Sequence, residues 1–133
     1  MDPVVHFEMP YKDRERIARF YAGAFGWKLQ LLGPDMGDYV LATTAQAGRP
    51  APPDAAPGAI NGGFFPYKAD WPAQCPSIVI AVDDIHASMD KVRAAGGEVL
   101  GDPMDIPGVG AYVSFLDTEG NRASMLQPLP MAG

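Results

Sequence analysis

Apolar and polar positions change period several times along the chain, and each change marks an element. From Val4 to Met9, Val5, Phe7 and Met9 alternate with Val4, His6 and Glu8, the period of two shown by a strand with one apolar and one polar face. After Pro10 the period lengthens. Ile17, Phe20, Tyr21, Ala24 and Phe25 recur at three- and four-residue steps, which predicts a helix capped by Asp13, ended by Gly26 and burying that stripe. Trp27 to Leu32 and Asp38 to Thr44 read as strands joined by a turn through Gly33, Pro34, Asp35 and Gly37. Ala45 to Gly58, carrying Pro50, Pro52, Pro53 and Pro57, reads as a loop, and a strand over Ala59 to Phe65 follows.

An irregular connection, Tyr67 to Pro76, separates this half from a second with the same order. Ser77 to Val82 is a strand rich in Ile and Val. Asp84 can cap a helix that buries Ile85, Met89 and Val92 and stops at Gly96 and Gly97. Strands are then predicted over Glu98 to Gly101, Gly110 to Leu116 and Arg122 to Gln127, the last two joined by the turn from Asp117 to Asn121. A repeat of about 50 to 60 residues points to a duplicated βαβββ module. The expectation is a single α+β domain over residues 1–133, with module one at 4–66, a linker at 67–76 and module two at 77–128. Each helix must bury its stripe on one face of four strands and leave the other face open. Two curved sheets of this kind form a mixed sheet around a cleft, with the helices on the outer face.

Composition narrows the function classes. Ten basic and sixteen acidic residues give a net charge of −6, without the clusters of Lys and Arg that nucleic acid or an anionic membrane demands. One cysteine, Cys75, excludes an intramolecular disulfide and a thiolate-built zinc site, and fits a reducing compartment. No leader-like or membrane-spanning apolar run is present, so a cytoplasmic protein is expected.

Several motifs together resemble the vicinal oxygen chelate superfamily, which holds the glyoxalases, bleomycin resistance proteins and extradiol dioxygenases. His6, Glu8 and Pro10, then Asp13, Arg16, Phe20 and Tyr21, then Phe25, Gly26 and Trp27 resemble the family's first strand and helix. Ala81 to Ile85 resembles the opening of the second module, and Asp117, Gly120, Asn121 and Arg122 the turn into the last strand. The resemblance implies a small-molecule site, a homodimer and, in the metal-dependent members, a divalent ion held by one side chain from each of four strands. Carried onto this chain, His6 stands at the first ligand position, Asn61 and Gly63 are the candidates at the second, and Ser77 and Ser124 stand at the others. Serine hydroxyls are poor ligands for the ions that imidazole and carboxylate hold. No metal or other cofactor is therefore expected, His6 being at most a weak metal candidate.

The remaining candidates follow from strand parity. His6 and Glu8 share one face; Glu8 can pair with Arg122 or, if burial raises its pKa, act as a general base. Ser77, Val79, Tyr112, Ser114, Arg122 and Ser124 are expected on the open face of module two, and Asn61 and Gly63 on that of module one, with Tyr39 near the cleft and Trp71 and Tyr67 at its rim. These small and partly apolar surroundings suit an apolar or aromatic molecule. The expected function is ligand binding without the family metal. The alternatives are a metal-dependent lyase, isomerase or dioxygenase using His6 and Glu8, and a non-catalytic structural or regulatory partner.

Overall fold

A computed structural model describes residues 1–45 and 58–130. Most of the proline-rich stretch expected as a loop lies outside the described residues. The chain divides into two compact units: His6–Asp70, and Met1–Val5 together with Trp71–Gly133. Both are βαβββ modules, which makes the protein α+β.

The first unit contains most of β1 (Val4–Tyr11), α1 (Arg14–Phe25), β2 (Lys28–Leu31), β3 (Val40–Thr43) and β4 (Asn61–Pro66), with strands in the order β2-β3-β4-β1. β1 and β4 are parallel and the other pairs antiparallel. The parity read from the sequence holds. Phe7 and Met9 pack with Tyr11, Val40, Ala42 and Phe64 on the face that receives Ile17 and Tyr21 of α1, leaving His6 and Glu8 on the opposite face. Asp13 caps α1 by accepting from the Arg16 N–H at 3.0 Å, and Gly26 ends it at φ 72°.

The expected stripe of α1 is only half used. Ile17 and Tyr21 pack on the core, but no residue of the helix is fully buried, and Phe20 and Phe25 are 56% and 63% exposed. The five apolar positions span more of the helix circumference than a four-stranded sheet face covers. Their rings instead touch one another and Tyr21.

The second unit contains β5 (Ser77–Ala81), α2 (Ile85–Ala94), β6 (Glu98–Ile106), β7 (Gly110–Leu116) and β8 (Arg122–Pro128), in the order β5-β8-β7-β6. β5 and β8 are parallel, and the rest antiparallel. Ile85 and Met89 of α2 are buried with Val82, Val113 and Met125, and Val92 packs against them. Asp84 caps α2, accepting from the Ala87 N–H at 3.0 Å. The Ala81 N–H donates to the Pro3 carbonyl at 3.0 Å, which ties the first residues of the chain to this unit.

β6 extends five residues beyond the end predicted at Gly101. Its register with β7 shifts between Leu100 and Met104, where Gly101 adopts φ 93° and Pro103 has no N–H to give. Gly and Pro therefore mark an irregularity inside the strand, although in sequence they read as its end.

Candidate functional site

In the first unit the open sheet face carries a polar cluster centred on Tyr39. This residue follows a tight turn: one turn of 3-10 helix at Pro34–Met36, then Gly37 and Asp38, both in the left-handed region at φ 65° and 54°. The turn is pinned from two sides. The Tyr11 hydroxyl donates to the Asp38 carbonyl at 2.6 Å, while Arg14 donates to the Leu32 carbonyl at 3.0 Å and lies 3.5 Å from the Asp38 carboxylate. Tyr39 then lies across the sheet above Gly63, where any Cβ would overlap its ring. Next door, Gly62 gives the same room to the Phe7 ring on the core face.

Laid across the sheet in this way, the Tyr39 hydroxyl sits 2.9 Å from His6 Nε2 and donates to Glu8 Oε2 at 3.0 Å. A hydroxyl has one proton, and an ionised carboxylate only accepts. With that proton directed to Glu8, His6 must carry its own on Nε2 and donate to the Tyr39 oxygen. That arrangement selects the Nε2–H tautomer and leaves the Nδ1 lone pair as an acceptor. Burial pushes the His6 pKa below its usual value, against a smaller upward pull from Glu8, which favours the neutral ring. Glu8 is itself buried.

Asn61 sits opposite His6 in the β1–β4 register. Its side-chain carbonyl accepts from the Thr44 and Ala45 N–H groups at 2.9 and 2.8 Å, so it holds the chain leaving β3.

The second unit carries a different cluster on its own helix-free face. Ser114 and Ser124, directly paired across β7 and β8, join their hydroxyls at 2.9 Å, and the Tyr112 hydroxyl lies 2.7 Å from Ser124. Both serines are buried. Val79 is buried beside Ser124 in the parallel β5–β8 register, and Ser77 opens β5 two residues earlier. Arg122, at the start of β8, donates to Ser114 Oγ and to the Pro72 carbonyl, both at 3.3 Å, and lies over the Trp71 ring at 5.1 Å. Tyr67, also expected at a rim, is half exposed beneath Lys12 in the other unit. Cys75 and His86 are exposed.

With this geometry in place, a model of the glyoxalase, bleomycin resistance protein and dioxygenase superfamily matches residues 4–125. The chain belongs to that superfamily. A glyoxylase-like domain-containing protein of Didymella fabae is 34% identical over 115 residues, 86% of this chain and 84% of the relative. The anthracycline biosynthesis protein DnrV of Streptomyces peucetius is 31% identical over 125 residues, but this chain spans only 42% of it. The solved structure of a Streptomyces coelicolor methylmalonyl-CoA epimerase variant superposes with a TM-score of 0.67 at 14% identity, covering 96% of this chain and 97% of that one. At that identity the likeness concerns the fold alone.

Within this glyoxalase-superfamily chain, the donor set fits the family metal poorly. Among the described residues, no group of three or more His, Cys, Asp and Glu side chains is placed to hold an ion. Of the residues at the ligand positions, His6 has its Nε2 engaged by Tyr39, Asn61 has its carbonyl engaged by backbone, Gly63 has no side chain, and Ser124 is bonded to two neutral hydroxyls. Neutral hydroxyls compete weakly with imidazole and carboxylate for such ions.

Tyr39 is the residue whose role sequence reasoning missed. Its parity places it near the site, but only the third dimension shows its ring occupying the space above Gly63. The signal available was a glycine inside a strand, which marks close approach by some other group.

Proposed function

We propose that this superfamily member binds a small apolar or aromatic molecule on the helix-free faces of its modules and does so without a divalent ion. The observation that carries this reading is the Tyr39 hydroxyl, placed between His6 Nε2 and Glu8 Oε2. That hydroxyl already engages His6 Nε2 and Glu8 Oε2, so an ion taking both of those atoms would have to displace it. The same bridge counts against a metal-dependent lyase or dioxygenase built on these two residues. In the first unit Tyr39 and the exposed Leu41 supply apolar surface and His6 Nδ1 an acceptor that can orient a ligand through an O–H or N–H group, and in the second Tyr112 supplies an aromatic surface of its own. On this reading the protein acts in the cytoplasm as a homodimer.

The test has two arms. Protein equilibrated with Zn, Ni, Mn and ferrous iron and then dialysed exhaustively is expected to retain no stoichiometric ion, and apolar or aromatic compounds are expected to raise its melting temperature in metal-free buffer. One retained ion per chain, lost in His6→Ala, would overturn the metal-free reading. A screen in which no such compound stabilises the protein would overturn the ligand class.

A further inference from the structure

We propose that Arg122 is a preformed anchor for a carboxylate, so that the molecule bound on the open face of the second unit is an aromatic or apolar acid. The inference rests on the small-molecule reading above and adds the group by which the ligand is held.

Three contacts fix the guanidinium, and all three come from neutral groups: the Trp71 ring at 5.1 Å, the Pro72 carbonyl at 3.3 Å and the Ser114 hydroxyl at 3.3 Å. None neutralises its charge. Although the chain has sixteen acidic residues, none of those described lies within ion-pair distance of Arg122. The acidic residue in line with it across the sheet is Glu98, which pairs with Leu116, the β7 partner of Arg122. It is thus two strand spacings away, roughly 10 Å.

A half-buried arginine whose contacts all come from neutral partners is in an unusual position. Long cationic side chains ordinarily swing to water or to a counter-ion. Here Arg122 is instead turned onto the protein, with Pro72 and Ser114 accepting from its two terminal nitrogens and the Trp71 ring against its central carbon. A guanidinium has five N–H donors in a planar fork, and two are used. The remaining donors match the two oxygens of a carboxylate, in a geometry that a lysine ammonium does not reproduce. Trp71, 39% exposed, offers a surface against which an aromatic ring can lie. The Tyr112–Ser124–Ser114 chain is made of neutral hydroxyls, so the charge that selects the ligand on this part of the face is that of Arg122.

The experiment compares benzoate with benzamide, which share size and shape but differ in charge. Binding is followed by ¹H–¹⁵N NMR at the Trp71 indole N–H and the Arg122 Nε–H of the full chain. Benzoate is expected to bind at least about tenfold more tightly than benzamide, the scale of a charge-assisted hydrogen bond. Both resonances should shift, and the preference should collapse in Arg122→Met and fall in Arg122→Lys, which keeps the charge without the fork. If the two probes bind the wild type equally, the anchor is wrong while the small-molecule reading stands. If Arg122→Met, folded by its spectrum, keeps the preference, another group holds the carboxylate and the anchor is again overturned. Failure of both probes to shift either resonance would overturn the anchor, and neutral apolar compounds that still raise the melting temperature would show that the broader reading survives it.

Discussion

Tyr39 reaches His6 and Glu8 only because residue 63 has no side chain, and that dependence can be measured. Gly63→Ala is expected to destabilise the protein by about 1–3 kcal/mol, because a Cβ overlaps the Tyr39 ring. In a Tyr39→Ala background the same substitution should cost about 0.5 kcal/mol or less, so a urea-unfolding double-mutant cycle would return most of the penalty as coupling. Equal costs in both backgrounds would mean that the ring does not depend on Gly63. His6 gives a pH signature. Its folded pKa is lowered chiefly by burial, so below the ordinary value of 6.5 the unfolded chain takes up a proton that the folded ring resists. Stability is expected to be full above pH 6.5 and to decline as the pH falls from there towards the folded pKa, and this slope should shrink in His6→Gln. The parity of His6, Glu8, Ser114 and Ser124 was legible, because a period of two fixes which face each residue takes. The Tyr39 bridge was not, because it depends on how a ring lies across two neighbouring strands.

The two helices start from similar sequence signals and end with different loads. Both caps were legible, since Asp13 and Asp84 each accept from the N–H three residues on. Burial was not equally legible. α2 sinks Ile85 and Met89 into the core, whereas α1 leaves Phe20 and Phe25 largely in water. Ile85→Ala and Met89→Ala are therefore expected to cost about 2–5 kcal/mol each. Phe20→Ala should cost less than about 1 kcal/mol, the scale of its ring contacts with Tyr21 and Phe25. Chemical denaturation at constant m-value would rank them, and a Phe20 cost equal to that of Ile85 would show α1 to be as deeply seated as α2. The β7–β8 turn carries its own test. Asp117 is held below the usual carboxylate range, first by the Asn121 side chain and then by the Asn121 and Glu119 N–H groups. Its contribution is present above the ordinary carboxylate pKa and is lost as the pH falls through the folded value. Asp117→Ala should lower the melting temperature at neutral pH, and the gap to wild type should close in acid.

At the scale of the molecule, duplication made the fold readable, because two passes through the same order of strand, helix and three strands constrain each other. What the repeat did not reveal is that the first strand belongs to both copies. β1 runs unbroken from Val4 to Tyr11, yet Met1–Val5 group with the unit that begins again at Trp71, and His6 onward with the other. The start of the chain is fixed there by the bond from the Ala81 N–H to the Pro3 carbonyl. That one strand, β1, is divided between the two units gives a direct test of whether they unfold together. One cooperative thermal transition is expected, with calorimetric and van't Hoff enthalpies in agreement. Ile85→Ala in one unit and Phe64→Ala in the other should each lower that single transition. Val5→Pro removes an N–H and restricts the backbone at the junction, and it is expected to split the transition or broaden it. Two transitions in the wild type, each moved by only one of the core substitutions, would show that the units unfold independently and that the shared strand does not couple them.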